Sequence, residues 1–312
     1  MKQKTQHAYW IRAAQLIHQC SKDLSLPKDQ NASPITVANW LVHKRPKISK
    51  NTWRHYKAAL MYALPIQYEI EGEIAADLLA EESQTGAMKK GQTTSALKAK
   101  YLPPDDLQKI LIWLSKQKSS YARPLTLFLL ASILTGLRPG EWQNAVLVKA
   151  KRRKHPYEIR LCVRNAKTNR NRGRGIFRFV ILNDFAPLPL AFIEELHEWK
   201  FQKLREEKTK WSSIQASLAR LLSEANSALW PKRKHHYTLY SCRHQAAANF
   251  KQMFVKDEVA AIMGHKSLET AGSHYGKARK GQTDLLPNLP LSYPIPPQRL
   301  KKVKAMSAAT FS

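Results

Sequence analysis

The chain has 312 residues, enough for two domains, and sets 52 Lys and Arg against 23 Asp and Glu for a formal charge of +29. That excess goes beyond what solubility needs and implies a polyanionic partner, most simply nucleic acid. Cys20, Cys162 and Cys242 form no C-x-x-C pair, and no stretch has the apolar length of a signal-peptide core or a membrane span; a soluble cytoplasmic protein is expected.

The first hundred residues read as four short helices. Ala8 to Cys20 carries apolar residues at helical intervals. Ser33-Pro34 supplies an N-cap followed by proline at the first helical position, leading into Ile35 to Val42. Ser49 caps a helix over Lys50 to Ala63, with Trp53, Lys57, Leu60 and Met61 at three- and four-residue steps, and Leu64-Pro65 ends it. Ile70 to Leu79 predicts a further helix, whose acidic face (Glu69, Glu73, Asp77) points away from DNA. From Glu82 to Lys100 the apolar period gives way to Ser, Thr, Gly and Lys, the composition of a flexible basic linker.

Beyond the linker, Pro103-Pro104-Asp105-Asp106 opens an amphipathic helix with Leu107, Ile110, Leu111 and Leu114 on one side. Arg123-Pro124 opens another, so apolar through Leu134 that it must be a core helix. Tyr157, Ile159, Leu161 and Val163 then alternate with polar residues, the period of a half-buried strand, and Ile176 to Leu182 is its expected partner. Between them, Asn169 to Gly175 forms a basic turn. Helices resume near Pro189 to Leu204 and Ser213 to Leu229, followed by shorter ones carrying Arg243, Met263 and Tyr275. After Gln282 the chain becomes proline-rich and then basic, which predicts a disordered tail in which Leu285-Leu286 and Leu289-Pro290-Leu291 could anchor. The whole is mainly α with one small antiparallel sheet.

Charge and motifs converge on one chemistry. Between Lys149 and Arg178 lie 12 basic residues and one acid, Glu158, which places DNA contact around the strand pair. Arg170, Arg172 and Arg174 in the turn are the candidate DNA-binding residues. T-G-L-R-P-G-E (Thr135 to Glu141), L-Y-S-C-R-H (Leu239 to His244) and M-G-H-K-S-L-E-T-A-G-S-H-Y (Met263 to Tyr275) supply Arg138, Arg243, His265 and Tyr275. A tyrosine hydroxyl is a poor nucleophile at neutral pH, and a phosphodiester repels it. Two arginines can grip the phosphate oxygens and stabilise the extra charge of a pentacoordinate transition state. The tyrosine oxygen then becomes a covalent carrier, and a general acid protonates the leaving oxygen. H-E-x-x-H and the phosphate-cradling G-x-x-x-x-G-K-[ST] are both missing, so no metal or other cofactor is expected.

With these residues the chain resembles the tyrosine recombinases, the phage integrase-like family, over roughly Tyr101 to Lys280. The N-terminal helices are more loosely similar to that family's core-binding domain. The resemblance implies that Arg138 and Arg243 hold the scissile phosphate, that His265 matches the histidine of the family's L-G-H, and that Tyr275 is the nucleophile. It makes Lys167, in N-A-K-T-N-R, the general acid to the 5′ oxygen, and Glu141 the acidic residue supporting the active-site arginine. Tyr240 departs from the pattern, because it stands where the H-x-x-R box usually has histidine. A tyrosine hydroxyl can still donate to phosphate, but it is neither a cationic donor nor a base near pH 7.

The organisation expected is a helical core-binding domain over 1–85, a basic linker over 86–102, a catalytic domain over 103–282 and a tail over 283–312. The activity implied is site-specific cleavage and rejoining of DNA through a 3′-phosphotyrosyl intermediate. The protein would be a monomer in solution and a homotetramer on two recombination sites, associated with the nucleoid. The alternatives are a related DNA breaker, such as a type IB topoisomerase or telomere resolvase, and a non-catalytic DNA-binding protein that keeps the fold.

Overall fold

A computed structural model of the chain describes residues 3–27, 29–88, 98–152, 155–165, 176–265 and 277–295. The chain divides into two compact units, Met1–Leu97 and Lys98–Ser312.

The first unit is helical. Helices α1 (Gln3–Asp23) and α2 (Pro34–Lys44) pack on α3 (Lys50–Glu81). Both predicted caps form: Ser33 Oγ accepts from the Thr36 N–H at 3.3 Å, and Ser49 Oγ from the Thr52 N–H at 3.1 Å. The core joins Leu16, Ile17 and Cys20 to Val37, Leu41, Trp53, Leu60, Leu64 and Leu79. α3 is not a straight rod. Lys57 Nζ donates to the Ala80 and Glu82 carbonyls at 3.0 and 2.8 Å, although a continuous helix would separate these residues by more than about 30 Å. The chain doubles back at Glu69, whose φ of 45° is non-helical. The two helices expected here therefore exist as arms of a hairpin, but the break falls four residues beyond Pro65. Gly72 makes the return possible, since a Cβ there would lie 2.0 Å from the Leu64 carbonyl oxygen. On the return arm Glu73 and Asp77 face solvent, and so do Ile70, Ile74 and Leu78, because Gly72, Ala75, Ala76 and Leu79 take the buried side.

The second unit is built around α5 (Ala122–Thr135), buried on nearly every side as its composition predicts. Helices α4 (Pro104–Ser115), α6 (Pro187–Phe201), α7 (Trp211–Leu229) and α8 (Ser241–Met253) pack on it or on its neighbours, and α9 (Lys256–Met263) follows α8. The sheet has three antiparallel strands in the order β1 (Val146–Arg152), β2 (His155–Arg164), β3 (Phe177–Ile181). β2 and β3 are the expected pair. β1 adds a strand that the sequence pattern does not predict, because its alternating lysines resemble the basic run around them. Residues 283–295 fold onto the unit, contrary to the disorder expected there. Strands β4 (Asp284–Leu286) and β5 (Leu289–Pro290) pair, Leu285 is buried in the unit's own core, and the Ile295 N–H donates to the Ile181 carbonyl. Among the described residues no helix is long and apolar enough to cross a membrane.

Candidate active site

Each motif folds locally for a reason legible in its residues. α5 ends at Gly136, which takes the left-handed conformation (φ 65°), and a Cβ there would stand 2.8 Å from the Met263 sulfur. Pro139 then opens a short 3₁₀ segment, Pro139–Asn144. Glu141 reaches back to accept from the Arg138 N–H at 2.8 Å and from Arg138 Nη1 at 2.6 Å. The segment is pinned by the Trp142 indole on Ser132 Oγ (2.9 Å) and the Trp211 indole on the Pro139 carbonyl (3.1 Å). α9 ends in the same manner at Gly264 (φ 66°), and the His265 N–H donates to the Ala260 carbonyl at 2.8 Å.

These turns bring together residues far apart in sequence. Arg243, in the first turn of α8, has no exposed surface. It donates through Nη1 to the Gly136 carbonyl, and through Nη2 to the Met263 carbonyl at 2.7 Å and to His265 Nε2 at 3.1 Å. Its Nη1 also stands 3.8 Å from Glu141 Oε2. Because a guanidinium can only donate, His265 Nε2 is the acceptor and the imidazole proton sits on Nδ1. Burial, reinforced by the charges of Arg243, Arg138 and Arg178, holds the His265 pKa far below the usual histidine range, so the ring is neutral at pH 7.

Arg178 belongs to none of the sequence motifs, yet it completes the cluster. It lies on β3 with no exposed surface and grips Glu141 with two hydrogen bonds, Nη1 to Oε1 at 3.1 Å and Nη2 to Oε2 at 2.7 Å. Nη1 also donates to Asn165 Oδ1 at 2.6 Å, and Nε to the Ile262 carbonyl at 3.2 Å. A Cβ on Gly264 would come within 3.0 Å of both Arg178 Nη1 and Asn165 Oδ1, so that glycine is required by packing as well as by backbone conformation. Three guanidiniums thus surround one carboxylate. Burial alone would raise the Glu141 pKa, but Arg178, then Arg243 and Arg138, outweigh it and hold the carboxyl well below the usual range. Of the three, Arg138 keeps an exposed edge, with 14 % of its side-chain surface accessible.

Among the remaining candidates, Tyr240 is half-buried at the start of α8 with its ring edge-on to His244 at 5.3 Å between centroids. Burial, then the charges of Lys100 and Arg243, pulls the His244 pKa down to about 4. Cys242 is fully buried and its thiol is pushed up to about 12, which removes it as a nucleophile. Lys167, Arg170, Arg172, Arg174 and Tyr275 lie outside the described residues. The structure therefore gathers Arg138, Glu141, Arg243 and His265 and adds Arg178 and Asn165.

No protein-family model and no curated protein sequence matches the chain. Solved structures do. A lambda integrase dimer bound to a COC′ core site aligns with 87% of this chain and 71% of its own, at 16% identity and a TM-score of 0.55. Lambda integrase residues 75–356 bound to DNA align with 88% of this chain and 89% of their own, at 16% identity and a TM-score of 0.51. A lambda integrase tetramer bound to a Holliday junction aligns with 90% and 74%, at 14% identity and a TM-score of 0.50. A mostly helical chain with a small antiparallel sheet, aligned with these structures over nearly nine-tenths of its length, has the tyrosine recombinase fold.

Proposed function

We propose that the protein is a site-specific DNA recombinase that cuts and rejoins strands through a 3′-phosphotyrosyl intermediate on Tyr275. The observation that carries this reading is the convergence of three sequence-distant motifs on one buried cluster, Arg138–Glu141–Arg243–His265. The cluster holds more positive than negative charge, as a site for a phosphodiester must. In this reading Arg138, with its exposed edge, meets the scissile phosphate first. Arg243 and His265 lie behind it, both buried, and hold the site's positive charge in place. A neutral His265 donates a hydrogen bond without acting as a cationic acid, so Lys167 protonates the departing 5′ oxygen. Glu141 and Arg178 fix the arginines and take no proton. Tyr240 donates to a phosphate oxygen in place of the usual histidine. The DNA-bound and tetrameric lambda integrase structures support a duplex DNA partner and assembly into tetramers on paired sites.

The test is a duplex nicked beside the cleavage position, which loses its short fragment after attack and traps the enzyme. A protein–DNA adduct stable to denaturant supports the proposal. Specific binding to the same duplex without an adduct would favour a non-catalytic DNA-binding protein of this fold.

A further inference from the structure

On the face of β2 opposite Asn165, a cleft of about 910 Å³ opens between the start of β1, the C-terminal end of α6 and the start of α7. Among the described residues its lining includes Arg164, Lys200, Arg205, Lys208, Lys210 and His197 and no carboxylate. The decisive group is Lys200. It is 4 % exposed and donates one hydrogen bond, to the Ala145 carbonyl. An ammonium carries three donors, and no described acid lies within ion-pair distance of it. Burial pulls its pKa down to about 8, so most of it is still charged at neutral pH. A buried cation without a counter-charge costs several kcal/mol, a cost that an apolar residue packed here would avoid. The chain offers little to offset it, since Glu269 is the only acidic residue outside the described stretches.

The rim extends the same pattern. Arg164, Arg205, Lys208 and Lys210 are exposed, and Arg205 rests over the Phe201 ring at 5.8 Å. Burial, then the charge of Lys200, brings the His197 pKa down to about 4, leaving a neutral imidazole beside the ammonium. Several cations around a shared space suit a multiply charged tetrahedral anion, which guanidiniums grip in pairs of hydrogen bonds. The volume lies within the roughly 300–1,000 Å³ of small-ligand pockets and leaves room for a phosphate carried on a larger molecule.

We infer that this cleft is a phosphate-binding site, with the Lys200 ammonium at its floor and Arg164, Arg205, Lys208 and Lys210 at its rim. The phosphate belongs either to a DNA strand or to a free phosphate compound such as a nucleotide. The inference stands whether or not the protein cleaves DNA.

The test uses the full chain and inorganic phosphate, with ionic strength held constant by chloride and binding read from phosphorus NMR line broadening. Saturable binding is expected in the wild type and in Lys118→Met, which removes the same charge from an exposed position outside the cleft. Binding should weaken at least tenfold in Lys200→Met and in the double variant Arg205→Ala/Lys208→Ala. The double variant changes exposed residues only, so it gives an answer even if Lys200→Met fails to fold. A second arm separates the sources. If the phosphate is DNA's, the double variant flattens the slope of log affinity against log salt by about 0.9 for each DNA phosphate no longer neutralised, beyond any change in Lys118→Met. If it is a free compound's, the DNA slope stays at the Lys118→Met value while phosphate binding still weakens at least tenfold. Equal phosphate binding in the wild type and the variants overturns the inference.

Discussion

Replacing Glu141 by glutamine tests the charge arrangement beneath the candidate site. In the wild type both carboxylate oxygens accept. Oε1 takes hydrogen bonds from Arg138 Nη1 and Arg178 Nη1, and Oε2 from the Arg138 N–H and Arg178 Nη2. An amide of the same shape turns one of these acceptors into an NH₂ group facing a guanidinium, and removes the carboxylate charge that the three arginines share. Taking one partner from a buried ion pair costs about 3–5 kcal/mol. For a unit of this size each kcal/mol moves Tm by about 2–4 °C, so calorimetry of Glu141→Gln should show a loss of about 6–20 °C. The pH dependence supplies an independent check. Glu141's folded pKa is depressed, so its stabilising contribution is complete above the unfolded glutamate value of about 4.3 and is lost as pH falls below it. The wild type should lose stability through that acid range more steeply than the variant. A Tm change under about 3 °C, or an identical acid profile in both proteins, would refute the assignment of Glu141 as the shared counter-ion.

Arg138→Ala should cut strand cleavage by about 10²–10³, the loss expected for one transition-state donor, with DNA affinity little changed; gel assays of adduct formation against binding read both. The His265 ring should show no protonation between pH 5 and 8 by NMR, because burial and the neighbouring arginines hold its pKa down; a midpoint near 6.5 would contradict the buried neutral ring. Replacing Arg170, Arg172 and Arg174 together should flatten the salt dependence of DNA binding, and an unchanged slope would remove that turn from the DNA interface.

Much of this architecture is legible in the sequence because the signals are local. Ser33-Pro34 and Ser49 announce helix starts through a side-chain oxygen and a preset φ, and both caps form. Gly136 and Gly264 mark the ends of helices whose next turn carries a candidate site residue, Arg138 or His265. The misses arise where tertiary packing decides. Pro65 reads as a helix terminator, yet the helix runs on to Glu69, and only the close approach of Gly72 to Leu64 explains the hairpin. The leucines after Gln282 read as a tail because their burial depends on α4 and α5, distant in sequence. For Arg178 a signal does exist. Val163 falls on the buried face of its strand, and Arg178 is its cross-strand partner, in phase with Val180 and Leu182. An arginine on the apolar face of a strand needs a buried carboxylate, and T-G-L-R-P-G-E supplies one in Glu141.

The most direct measurement asks whether DNA becomes attached to the chain, and at which residue. After reaction with a nicked duplex, digestion of the adduct with nuclease and protease followed by mass spectrometry should find a nucleotide remnant on Tyr275. Tyr275→Phe should bind the same duplex and give no adduct. A remnant on any other residue, Tyr293 included, or an adduct formed by Tyr275→Phe, contradicts the account.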